Sequence, residues 1–205
     1  MQVMRARISL RIRPEGADTR DGLGALLMSD VTQYLVRWLC HDLATPIASV
    51  MTASELLDDT PDTEINELIR FGAKRLTSRL RLVRLALGAA ESDMAGGQLE
   101  KMVKEGLDST SVDWSWEGDA TGGMATLIAG CIMLVADLNR TRPLAVDQKG
   151  VTVAPACTWP EPVAAVFKGA APTCNRGSVA AMLMQAAERA GKRLAPTPTG
   201  LTWDA

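Results

Sequence analysis

The chain has 205 residues, 47% of them hydrophobic but only 4% aromatic, and a formal net charge of -2. That length allows one generous domain or two small ones, and a core limited to Leu, Val, Ile, Ala and Met is the usual make-up of a helix-rich protein. A slightly negative chain is not a bulk nucleic-acid binder, because such binding needs a positive field over the phosphates.

The N-terminus reads M-Q-V-M-R-A-R-I-S-L-R-I-R-P, with four arginines and no continuous apolar stretch of the kind a signal peptide needs. Its alternation at Ile8, Leu10 and Ile12 suits a short edge strand, but an unstructured basic tail ending at Pro14 is the simpler reading. Residues 1–24 are expected to be a basic extension. From Val31 to Leu57 the apolar residues recur in steps of three and four, the period of a helix. Asp58, Asp59, Thr60 and Pro61 break it, with proline suited to the start of the next helix. A second run follows at Ile65, Ile69, Gly72, Leu76, Leu80, Val83 and Leu87, a heptad seam with glycine as its small member. Two long helices joined by so short a turn lie antiparallel. One hairpin has too little core to stand alone, so residues 25–95 are expected to form a four-helix bundle with a second copy, Leu39, Leu43, Leu76 and Leu80 lying in the seam.

The boundary is expected near residues 91–97, and residues 96–205 change character. Gln98–Ser109 reads as a helix, and V-D-W-S-W-E (112–117) as a strand with Trp114 and Trp116 on one face. Met124–Asn139 reads as a strongly apolar helix, and its most apolar run, Met124–Val135, stops at Asp137, well short of the roughly 20 residues a membrane span requires. D-Q-K-G-V (147–151) reads as a hairpin turn. Val151–Ala154 and Val163–Phe167 read as short strands, Ser178–Ala190 as a helix stopped by Gly191, and Leu201–Trp203 as a strand closing the sheet. Helices and strands in that mixture predict an α+β sandwich behind the hairpin. The cysteines at 40, 131, 157 and 174 form no C-x-x-C pair, and with one histidine in the chain no zinc site of ordinary spacing can form. Reduced, structural thiols fit a cytoplasmic protein.

That one histidine, His41, lies in W-L-C-H-D-L-A-T-P-I (38–47). Leu35, Leu39, Leu43, Pro46 and Val50 make one stripe of the first helix, and at 100° per residue His41 lies roughly 160° from its middle. The imidazole is therefore expected to face outward, with Thr45 one turn along and Asp42 at the stripe's margin. The periodicity continues through Pro46, which predicts a kink rather than a stop. Pattern alone leaves two readings, a solvated surface histidine and a functional one.

H-D-L-A-T-P-I-A-S (41–49) resembles the H-box of sensor histidine kinases, H-[DE]-x-x-x-P, carried on the first helix of a dimeric hairpin. With S-V-M-T-A-S-E-L-L after it, the chain from about residue 25 onward is similar to the ChpT-type histidine phosphotransferases. These pair a kinase-like hairpin with a degenerate ATPase-like domain. Over residues 98–205 the likeness rests on the order of elements. Kinase ATP-binding helices resemble N-L-L-x-N-A; here C-I-M-L-V-A-D-L-N (131–139) puts Cys131 and Val135 at the asparagine positions. Neither supplies the hard oxygen donor that magnesium wants. Asn139 is off register and reads as a helix-terminal residue. No D-x-G-x-G or G-x-x-x-x-G-K-[ST] occurs.

The resemblance therefore implies a phosphorelay intermediate without a nucleotide or cofactor of its own. Its partners would be response-regulator receiver domains, which bring the phosphoaspartate and the magnesium. His41 would be the phosphoacceptor. Asp42 would accept a hydrogen bond from its other ring nitrogen, or be a solvated helical carboxylate. Thr45 would position a hydrolytic water, or be a plain small residue before proline. Docking is expected toward the hairpin turn, on Ala48, Met51, Thr52 and Glu55. Lys74, Arg75, Arg79, Arg81 and Arg84 form a basic run on the second helix, either a solvated face or a surface that steers an acidic receiver. The alternatives are a non-catalytic dimeric scaffold that binds receivers and, further off, an active kinase.

Overall fold

The computed structural model of the chain describes residues 19–57, 63–90, 93–107, 110–140 and 142–204. The alternation at Ile8, Leu10 and Ile12 and the break at 58–61 lie outside the described residues. Two long helices come first, α1 (Thr19–Leu57) and α2 (Thr63–Ala86). α1 starts earlier than its apolar period, so it takes in part of the stretch read as an extension.

As the period predicted, α1 runs on through Pro46. Proline has no N–H, so the Asp42 carbonyl is left without its helical donor. α2 packs along α1, and Gly72 sets how closely. A Cβ at Gly72 would stand 2.8 Å from a γ-methyl of Val50. Burial rises along α2. Ile65, Ile69 and Leu76 are half-buried, with α1 as their main cover, whereas Leu82, Val83, Leu85 and Ala86 are fully buried where α3 and α4 also close over them.

The rest of the chain runs α3 (Gly96–Leu107), β1 (Val112–Trp114), α4 (Met124–Leu138), β2 (Leu144–Asp147), β3 (Gly150–Val153), α5 (Glu161–Phe167), α6 (Asn175–Arg189), β4 (Arg193–Thr197) and β5 (Gly200–Asp204). The strands form one sheet in the order β1-β2-β3-β5-β4, with β1 parallel to β2 and the other pairs antiparallel. The architecture is α+β, as the mixture of periods predicted. α4 is apolar on every side and buried along nearly its whole length, which makes it the axis of the core. Each of its large side chains contributes about 1.5–3 kcal/mol by transfer from water. Around it one continuous apolar cluster reaches from Trp38 of α1 to Trp203 of β5, so hairpin and sheet share a core.

Three local expectations meet corrections. Val163–Phe167 is not a strand but part of α5. Pro160 and Pro162 set a helical entry, Glu161 suits the first turn, and Val163 and Val166 bury three residues apart. β2 and β4 went unread, β4 because it contains Pro196. A proline is tolerated there because β4 is an edge strand. The strand at 112–117 is shorter than expected, and Trp116 lies beyond its end, edge-on to Trp203 with ring centroids 6.3 Å apart. The turn at 147–150 does join β2 to β3, and Asp147 Oδ1 accepts the N–H groups of Lys149 and Gly150 at 2.7 and 2.9 Å. Among the described residues no helix is long and apolar enough to cross a membrane.

Candidate functional site

His41 is exposed on α1, as the helical arithmetic predicted, and lies one turn along from the buried Trp38, with which it shares a groove. The imidazole has no hydrogen-bond partner among the described residues. It opens onto a groove of about 460 Å³ between the hairpin and the C-terminal part. One wall is α1 and α2, with His41, Asp42, Thr45 and Arg79; the other is the end of α3 and the end of α4, with Gly106, Asp137 and Arg140. Gly72 and Pro46 also line it. The small size of Gly72 leaves room there, and Pro46 supplies no N–H to the Asp42 carbonyl.

Asp42 is not a solvated carboxylate. Arg79, reaching across from α2, donates from Nε to Asp42 Oδ2 at 2.7 Å and from Nη2 to Asp42 Oδ1 at 2.5 Å. This is the planar fork that guanidinium makes with carboxylate. Its third contact is from Nη1 to the Gly106 carbonyl at 3.3 Å, one of the last, otherwise unpaired carbonyls of α3. Arg79 thus ties α1, α2 and α3 together beside His41. Consecutive helical residues do not face each other, and Asp42 bonds to Arg79 rather than to His41.

The candidate residues divide. His41, Asp42, Thr45, Arg75 and Arg79 share the groove. Ala48, Met51, Thr52, Glu55 and Lys74 are exposed on the hairpin nearer its turn and do not line it. Of the basic run, Arg79 is an internal tie rather than free surface, and Arg75 lies over the Phe71 ring at 5.6 Å. On α4, Cys131 and Val135 are completely buried, and burial raises the Cys131 thiol far above its ordinary value. Asn139 caps α4, its Nδ2 donating to the Val135 carbonyl at 2.9 Å and its Oδ1 accepting from the Thr158 N–H at 3.3 Å. Its helix-terminal reading fits those bonds.

Sequence reasoning missed the second wall. Asp137 had figured only as the end of an apolar run, yet its carboxylate accepts from Arg176 Nε at 2.7 Å and meets Arg140 at 3.5 Å. Burial alone would raise its carboxyl; the two guanidinium groups, Arg176 first, outweigh that and hold it below the usual carboxylate range. No local motif marks Asp137 or Arg140, since only the packing of α4 against α2 and α3 brings the end of α4 to the hairpin. Among the described residues no group of three or more His, Cys, Asp or Glu side chains is placed to hold a metal ion.

No protein-family model matches the chain. A helical hairpin beside a mixed α+β sheet is the fold of a solved bacterial phosphotransferase, which superposes with a TM-score of 0.64 and 23% identity over 93% of this chain and 98% of that one. A histidine kinase of Acinetobacter baumannii, AdeS, is more distant at a TM-score of 0.39 and 11% identity, over 80% of this chain and 94% of that one. In sequence, 100 residues are 30% identical to the protein phosphotransferase ChpT of Brucella abortus (strain 2308), covering 47% of this chain and 44% of that protein. The match thus spans less than half of the relative's length. Together, the sequence match and the phosphotransferase fold bear out the ChpT-type resemblance carried by residues 41–57.

Proposed function

We propose that this chain is a histidine phosphotransferase of a phosphorelay, taking a phosphoryl group from one receiver-domain aspartate onto His41 and passing it to another. The observation that carries the reading is the chain's single histidine, exposed and unbonded at the mouth of a groove rich in arginine. A neutral imidazole has a lone pair to offer on one ring nitrogen. In the transfer step that lone pair attacks phosphorus in line. The P–N bond forms as the P–O bond to the aspartate breaks, and the carboxylate leaves with the bonding electrons. The phosphoimidazolium sheds its remaining N–H proton to solvent. Such transfers are governed by positioning and charge compensation. Asp42 would otherwise repel the incoming phosphoryl, and its pairing with Arg79 offsets that charge at the moment of approach. Magnesium is assigned to the receiver.

Nucleotide is not assigned to this chain, because the helix that would hold it buries Cys131 and Val135 at the relevant positions. The hairpin also leaves Ile47, Leu68, Phe71 and Leu80 between 41% and 55% exposed, an apolar face that a second copy would cover as a four-helix bundle. The residues toward the turn, Ala48, Met51, Thr52 and Glu55, are assigned to receiver docking.

Incubation with a phosphorylated receiver, and separately with labelled ATP, tests this. Wild type should take label from the receiver and none from ATP. His41→Ala should take none from either, with a melting temperature nearly that of wild type, because truncating an exposed side chain usually changes stability by less than about 0.5 kcal/mol. Label on the His41→Ala protein, or a binding-only protein in which the substitution changes nothing, would overturn the reading.

A further inference from the structure

The far wall of the His41 groove carries a cation that the folded chain does not need for its own ion pairs. Two carboxylates line the groove, Asp42 and Asp137. Arg79 holds the first with its fork. Arg176, from α6, holds the second with Nε at 2.7 Å and Nη2 at 3.3 Å. Arg140 stands beside Asp137 with a single longer contact of 3.5 Å, and its side chain is 69% exposed. Since Arg176 already compensates Asp137, Arg140 can leave that carboxylate without stranding a buried charge. The groove therefore holds positive charge in excess of its own acids, and the residue proposed to carry a phosphoryl group lines the same groove.

A phosphoryl group brings close to two negative charges and three acceptor oxygens. Guanidinium meets such oxygens two at a time, and the contact is stronger where surrounding walls limit water. We propose that Arg140 is the counter-charge of phosphorylated His41, swinging from Asp137 onto the phosphoryl oxygens. The inference rests on the phosphotransferase reading of His41. It gives the C-terminal part a chemical share in the reaction. No bond to Arg140 is made or broken, and it stays protonated throughout.

Phosphoramidate separates the two ideas, because it phosphorylates histidine without any receiver. The P–N bond to its ammonia breaks as the bond to His41 forms. The full chain is treated as wild type, His41→Ala, Arg140→Ala and Arg140→Lys, with uptake followed by mass and the bound phosphoryl titrated by phosphorus NMR. Arg140→Ala should melt like wild type, take up label about tenfold more slowly, the loss expected for one charge-assisted hydrogen-bonding group, and titrate at higher pH. Arg140→Lys should fall between them, since it keeps the charge and loses the fork. A phosphoryl titration and uptake rate identical in wild type and Arg140→Ala would overturn the inference while His41 stood. If wild type took no label, or His41→Ala took as much, the phosphotransferase reading would fall and the inference with it.

Discussion

At the scale of single residues, the site turns on how a carboxylate is kept beside His41, the proposed phosphoacceptor. An unpaired Asp42 would oppose every phosphoryl oxygen that approached His41. Its side chain is 17% exposed and that of Arg79 is 20% exposed, so the pair is shielded enough to matter and wet enough not to be costly. Arg79→Ala should therefore destabilise the fold by about 1–2 kcal/mol, between the values typical of exposed and buried pairs. It should also slow transfer to His41, because the carboxylate is left uncompensated. Arg79→Lys should recover part of the stability, since lysine supplies charge without the fork. Chemical denaturation and receiver-to-histidine transfer rates, measured on both variants, check this. A fully stable Arg79→Ala protein would show that the tie between α1, α2 and α3 carries no weight.

At the scale of elements, the approach of α3 to α2 decides whether the groove has a second wall. Gly106 makes that approach possible. A Cβ there would lie 2.8 Å from both the Cβ and a δ-methyl of Leu82, which is completely buried. The Leu82 Cβ belongs to α2's rigid stem, so the clash is relieved only by moving a helix. Gly106→Ala gains up to about 1 kcal/mol of helix propensity, whereas overpacking of this kind costs about 1–3 kcal/mol. The net effect should be a lower melting temperature, together with a weakened bond from Arg79 to the Gly106 carbonyl and slower transfer. A stabilised variant would mean that α3 can slide without penalty. The same scale explains α5. Its valines and phenylalanine read as a strand by composition, but prolines at 160 and 162 favour a helical start and the spacing of Val163 and Val166 suits one buried helical face.

At the scale of the whole molecule, the hairpin emerges from the shared core with an apolar face still open. Leu80 is 42% exposed and Phe71 is 55% exposed, whereas Leu82 and Leu85 farther along the same helix are completely buried. The difference is the face each presents: Leu82 turns toward α3, against Gly106, whereas Leu80 lies two residues and so about 200° away on the other side of the helix. A second copy is the proposed cover. Light scattering at micromolar concentration should give twice the chain mass, and Leu80→Glu should shift the population toward the monomer by placing a charge in the seam. A wild-type monomer under those conditions would remove the four-helix bundle from the proposal.

The elements with strong periodicity were decided by the chain itself. Steps of three and four residues specify α1 and α2, and a continuous apolar run specifies α4, because each must turn one stripe, or every side, toward apolar neighbours. The outward direction of His41 follows from the same angle per residue, and the identity of the motif follows from seven or so contiguous side chains. Short, weakly patterned pieces such as β2, β4 and α5 were not legible, because a few residues fit more than one period and their neighbours in the sheet or core settle the choice. The assembled groove was hidden for a related reason. Asp42 meets Arg79 across 37 positions and Arg176 meets Asp137 across 39. Nothing local distinguishes those side chains from solvated charges on exposed faces. Only the packing of α3 and α4 against the hairpin sets two arginine–carboxylate pairs and a spare arginine around one histidine, since that geometry depends on helix-to-helix distances that no stretch of sequence encodes by itself.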